Sequence, residues 1–153
     1  MRLTTAAGIG IVTAALIGCS SVPRQSDPAA IGERAAQVAL DMQGRPYRYG
    51  GNTPRGFDCS GLVQYSYARA GARLPRSTEG LRDLSSVVST RRLRPGDLLF
   101  FNQLGKRSSH VAIYVGRERF VHAPSTGKYV SIESLNNQYW RRHLESARRP
   151  SLE

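Results

Sequence analysis

The chain has 153 residues, with 22 Lys and Arg against 11 Asp and Glu and a formal net charge of +11. That length suits one domain, and 40% apolar with 22% charged residues excludes a disordered chain. Two cysteines cannot build a disulfide framework, and CxxC, HExxH and any self-similar period are absent, which excludes the common metal signatures and repeat architectures.

In chain order, residues 1–18 come first, with one charge, Arg2, ahead of the apolar run from Ala6 to Ile17. The run is too short for a stable bilayer span and fits the core of a secretory signal. It ends in Leu16-Ile17-Gly18-Cys19-Ser20, which resembles the bacterial lipobox. That resemblance implies cleavage before Cys19 and a diacylglycerol thioether on its thiol. Ser20, rather than Asp, implies an outer-membrane lipid anchor facing the periplasm. Cys59 is then the only free thiol of the exported chain. A plain signal peptide with an incidental cysteine is the alternative.

Residues 19–27 read as the lipidated cysteine and a polar tether, and residues 28–149 as one folded domain. Asp27 can cap a helix with Pro28 at its first position, and Ile31, Ala35, Val38 and Met42 recur at helical spacing before Gly44 stops it. Residues 44–57 hold too many Gly and Pro for a regular element and read as a structured loop. A helix from Asp58 or Cys59 is closed by Gly71. Short apolar runs then follow turn signals: 97–101 after Pro95-Gly96, 110–115 and 119–123 around Gly116, and 129–132 after Gly127. Helices first and antiparallel strands afterwards predict an α+β domain.

The basic residues lie scattered, in pairs such as Arg91-Arg92, Arg141-Arg142 and Arg148-Arg149. A pI near 10.6 permits attraction to nucleic acid or anionic lipid, but this pattern is that of a solvated surface and selects no partner.

Cys59 falls in the first turn of its helix, where backbone N–H groups and the helix dipole are expected to lower a thiol pKa. A thiolate needs a proton carrier, and the chain offers His110, His122 and His143. If residues 116–118 form a hairpin loop with Val115 opposite Arg119, His110 lies diagonal to His122 on one sheet face. The Cys59 helix is expected to cover that face, with Val111, Ile113, Val115 and Val121 turned the other way into the core. His143, in a basic stretch, reads as a surface or structural histidine.

The runs Gly44-Arg-Pro-Tyr-Arg-Tyr-Gly-Gly51 and Gly56-Phe-Asp-Cys-Ser-Gly-Leu-Val63 resemble the catalytic-cysteine block of the NlpC family of bacterial cell-wall cysteine peptidases. Arg94 to Phe101, Ser109 to Gly116 and Phe120 to Ala123 match its later blocks in order, so the resemblance covers about residues 30–148. It implies a papain-like α+β domain, with the cysteine helix packed on a central antiparallel sheet of about five strands. It further implies Cys59 as nucleophile, His110 as general base, His122 as its orienting partner and Tyr47 as a donor near the oxyanion. Asp58 and Ser60 shape the substrate site, although Asp58 serves equally well as a helix cap. The implied partner is peptidoglycan, with no cofactor, no metal, no nucleic acid and a monomeric chain.

The resemblance points to amide bonds of murein stem peptides. The D-alanyl to diamino acid cross-link is favoured over the γ-D-glutamyl to diamino acid bond, because a short lipoprotein with no separate wall-binding domain resembles the family's outer-membrane endopeptidases. The rival readings are a zinc site of Cys59, His110 and His122, a non-catalytic murein-binding lipoprotein, and acyl transfer or amidase action on another substrate.

Overall fold

The computed structural model describes residues 27–103 and 105–152. The signal and tether, Cys19 included, lie outside the described residues. Helix α1, Pro28–Asp41, starts as its sequence predicts: the Asp27 carboxylate accepts the Ala29 N–H at 3.0 Å. It buries Ile31 and the small side chains of Ala35, Ala36 and Ala39, which let the next helix approach closely. The loop after it contains a two-stranded ladder, β1 (Asn52–Thr53) with β2 (Gly56–Phe57). Helix α2, Cys59–Ala70, is capped by Asp58 and ends at Gly71, whose φ of 105° is a left-handed stop that glycine adopts without a Cβ penalty.

The rest forms an antiparallel sheet around β4 (Leu98–Gln103), β5 (Lys106–Gly116), β6 (Arg119–His122) and β7 (Ser131–Ser134). Where about five strands are expected, the sheet has six among the described residues. The order is β3-β8-β4-β5-β6-β7, with β3 at Ser85–Val88 and β8 at Leu144–Pro150. Helices α3 (Thr78–Asp83) and α4 (Gln138–His143) complete the fold.

Alternation along β4 and β5 makes two cores. Leu98, Phe100, Val111, Ile113 and Val121 pack on α1 and α2. Leu99, Phe101, Ala112, Tyr114 and Phe120 pack on the other face with Trp140 of α4. Each fully buried large side chain contributes about 1.5–3 kcal/mol. Between helices and sheet, Asp97 is buried and paired with Arg149 through two bonds of 2.8 Å, while Tyr67 donates its O–H to the Gly96 carbonyl. These bonds tie α2 and β8 to the start of β4.

The β5–β6 hairpin differs from expectation at its tip. A two-residue turn, Arg117-Glu118, replaces a loop over 116–118, and Gly116 rather than Val115 lies opposite Arg119. Both turn residues have positive φ, 53° and 56°, the twist that suits a tight hairpin. The additional residue is taken up as a bulge between Tyr114 and Gly116. Further in, Ile113 pairs with Val121, so continuing that register sets Ala112 level with His122 and His110 diagonal to it.

Candidate active site

The loop before α2 is clamped onto the helix start by one carboxylate. Asp58 Oδ1 accepts the Gly61 N–H at 2.7 Å, and Oδ2 accepts the Gly50 N–H at 3.0 Å and Arg76 Nη2 at 2.6 Å. Arg76 also donates to Ser60 Oγ at 2.8 Å and to the Gly51 carbonyl at 3.3 Å. Gly61 has to be glycine, because a Cβ there would collide with the Gly51 carbonyl oxygen. Asp58 is thus both helix cap and ion-pair partner. Sequence reasoning missed Arg76, since no local spacing links it to a carboxylate 18 residues earlier.

This clamp holds Cys59 half-buried at the helix entry, its sulfur 4.0 Å from Thr78 Oγ1. The backbone N–H groups of Val111 and Ser60 face the sulfur and favour the thiolate, but burial outweighs them and pushes the thiol pKa up. The expected net lowering at the helix N-terminus is therefore corrected. Desolvation of the sulfur against β5 exceeds what the N–H groups return, and the neighbouring Asp58 charge adds to the rise.

Tyr47 is half-buried in the same loop, its N–H bonded to the Lys128 carbonyl at 2.8 Å. Its phenol pKa is raised, first by burial and then by Cys59 and Asp58, so it remains an O–H donor at neutral pH. Tyr47, Asp58, Cys59 and Ser60 therefore occupy one neighbourhood.

His110 and His122 are 3% and 2% exposed and joined by a hydrogen bond, His110 Nε2 to His122 Nδ1 at 2.8 Å. In the tautomer with the proton on His110 Nε2, His122 accepts and His110 Nδ1 is left to exchange a proton elsewhere. Burial lowers His110 to a pKa of about 4. His122 falls to about 3, through burial first and then His110 and Lys128. Both rings are neutral at physiological pH.

The pair stands on the opposite sheet face from the one expected. Helices α1 and α2 cover Val111 and Ile113, whereas His110 and His122 face Trp140, whose ring centre lies 6.1 and 5.0 Å from theirs. The flank of α2 follows the aliphatic face, and its first turn meets β5 at Val111, next to His110. Trp140 was not singled out by sequence; the only signal is a lone Trp beside a basic run. His143 stands apart, its Nδ1–H donating to the Tyr139 carbonyl at 2.7 Å. Among the described residues no group of three His, Cys, Asp or Glu side chains is arranged to hold a metal ion.

A helix-borne thiol against an antiparallel sheet that carries a bonded imidazole pair defines a papain-like α+β domain. The chain belongs to the NlpC/P60 family, whose model matches residues 44–149. It is 43% identical over 126 residues to the murein DD-endopeptidase MepH of Escherichia coli K12, covering 76% of this chain and 46% of that protein. With the murein DD-endopeptidase and LD-carboxypeptidase MepS of the same strain it shares 44% over 110 residues, 71% of this chain and 57% of the relative. The chain thus spans about half the length of these two curated relatives. The probable endopeptidase NlpC of that strain is 37% identical over 148 residues, 91% of this chain and 96% of the relative. Among solved structures, a lipoprotein-like NLP/P60 protein of Staphylococcus aureus superposes with a TM-score of 0.69 at 37% identity, over 78% of this chain and 41% of that one.

Proposed function

We propose that the chain is a cysteine peptidase that hydrolyses amide bonds of peptidoglycan stem peptides. The observation that carries this reading is the buried His110–His122 hydrogen bond beside the strand residue whose N–H faces the Cys59 sulfur. Relatives named as murein endopeptidases support the substrate class.

With the thiol pKa raised and the imidazole pKa values lowered, the resting pair is neutral thiol and neutral imidazole. Proton transfer then accompanies attack. His110 Nδ1 takes the thiol proton as sulfur bonds to the scissile carbonyl carbon. The Cys59 N–H and the Tyr47 O–H hold the oxyanion. The proton passes from Nδ1 to the leaving nitrogen, the C–N bond breaks and a thioester remains. Water gives a proton to Nδ1, attacks the thioester, and releases the acid with the thiol restored.

The D-alanyl to diamino acid cross-link is the favoured bond, in line with the two DD-endopeptidase relatives. A γ-DL-glutamyl hydrolase of Bacillus subtilis, 40% identical over 127 residues, supports the γ-D-glutamyl to diamino acid bond as the second reading. The lipobox-like run around Cys19 supports lipid anchoring in the outer membrane.

Digestion of purified sacculi, with products weighed by mass spectrometry, tests both the activity and the bond. Wild-type protein should release cleaved stem peptides and folded Cys59→Ser protein none. Hydrolysis by the Ser variant at the wild-type rate would remove the thiol mechanism.

A further inference from the structure

His122 also forms one wall of a cavity of about 360 Å³, whose other walls include Lys128, Tyr129, Ser131, Glu133 and Trp140. Strand register explains the grouping. Ser131 pairs with His122 and Glu133 with Phe120 across β6 and β7, so these residues stand on one sheet face, the face that Trp140 covers. The loop between the two strands brings Lys128 and Tyr129 alongside, anchored by the Tyr47 N–H on the Lys128 carbonyl. Tyr129 is 60% exposed, a ring available to an aliphatic chain.

Among the described residues, the side chains of Lys128, Ser131 and Glu133 make no hydrogen bond or ion pair, and His122 bonds through Nδ1 alone. Lys128 lies close enough for its charge to act on the His122 ring. A cation and a hydroxyl therefore face an anion on one side, while Glu133 opposes any anion that brings no N–H of its own. That combination suits the α-centre of an amino acid and disfavours phosphate.

We propose that this cavity is a subsite for a carboxylate of the diamino acid that supplies the leaving amine, with the Lys128 ammonium as its counter-charge. The proposal rests on the murein-peptidase reading above. In that reading the leaving nitrogen takes its proton from His110, so the residue bearing it lies on the imidazole side of the sulfur, and the cavity adjoins that imidazole pair through its His122 wall. Diaminopimelate carries a carboxylate one carbon from an amine at each end, so a second α-centre with its own anion extends from the scissile nitrogen held at His110. Ser131 hydrogen-bonds the same carboxylate, and Glu133 accepts from the accompanying N–H.

The test titrates protein carrying Cys59→Ala with meso-diaminopimelate and with its diamide, following the His122 ring by nuclear magnetic resonance. The free acid should shift the His122 signals and raise the pH at which the ring titrates, because a bound carboxylate favours the imidazolium. The diamide should bind about tenfold more weakly or less, as expected for loss of a charge-assisted hydrogen bond. Lys128→Met should weaken diaminopimelate binding about tenfold, Lys128→Arg should restore most of it, and Lys106→Met should change nothing. Equal affinity for acid and diamide, or undiminished binding to folded Lys128→Met protein, overturns the subsite. In turnover, Lys128→Met should raise KM for a murein peptide with a free diamino acid carboxylate and erase any preference over its amidated form. Protein that binds diaminopimelate at His122 but cuts no murein would refute the peptidase reading and leave the subsite standing. Murein cleavage with His122 indifferent to diaminopimelate would do the reverse.

Discussion

Strand β5 presents two buried faces, one wholly aliphatic and one where Ala112 and Tyr114 share an apolar cluster with a polar ring. Towards α1 and α2 it offers Val111 and Ile113, which meet alanines, Leu62 and Val63. Towards α4 it offers His110, which with His122 lies beneath Trp140 of a six-residue helix. The first face needs only shape, because removing aliphatic carbon from water is favourable wherever it packs. The second holds two polar rings out of water, which is tolerable because each is neutral and they bond to one another. The difference teaches a division of labour: two helices and a continuous apolar contact supply rigidity, and the imidazole pair is installed on the side that rigidity leaves spare.

That division is open to test by substitution, starting with the proton carrier. His110→Asn should lower kcat/KM on a soluble murein fragment by about 10³-fold or more, while circular dichroism and the melting temperature stay near wild type. At the neighbouring position, His122→Ala should cost about 10²–10⁴-fold, and His122→Asn, which keeps an acceptor, should recover much of that loss. Equal inactivity of folded Asn and Ala proteins at position 122 would show that His122 does more than orient His110.

The aliphatic face should respond in the other currency. Ile113→Ala is expected to cost about 2–5 kcal/mol of stability by urea unfolding, with turnover per folded molecule unchanged. A stable but inactive Ile113→Ala protein would mean that the helix face also tunes the chemistry.

A further effect is that of pH on folding. Both imidazoles have folded pKa values depressed, to about 4 and about 3, below the ordinary 6.5. The unfolded chain therefore binds protons that the folded chain refuses as pH falls below about 6.5, and stability drops with pH through that range. Unfolding free energy should fall by a few kcal/mol between roughly pH 6.5 and 4. Protein carrying both His110→Asn and His122→Asn should lose most of this slope, and an unchanged slope would place its origin elsewhere.

Much of the framework was legible from local physical chemistry. Asp27 with Pro28, and Asp58 with Gly71, bound their helices because capping and left-handed stops are properties of a few adjacent residues. The diagonal of His110 and His122 followed from strand periodicity, which the bulge at the hairpin tip left intact. Strands β3 and β8 escaped notice because Ser85–Val88 and Leu144–Pro150 carry little apolar alternation, and their edges are defined by pairing with each other and with β4. Tertiary structure alone decided three things: which face α2 would cover, that Arg76 would take the Asp58 carboxylate, and that burial would raise the Cys59 thiol pKa. Each is a sum over groups distant in the chain, brought within a few ångströms by packing, and no window of sequence contains that sum.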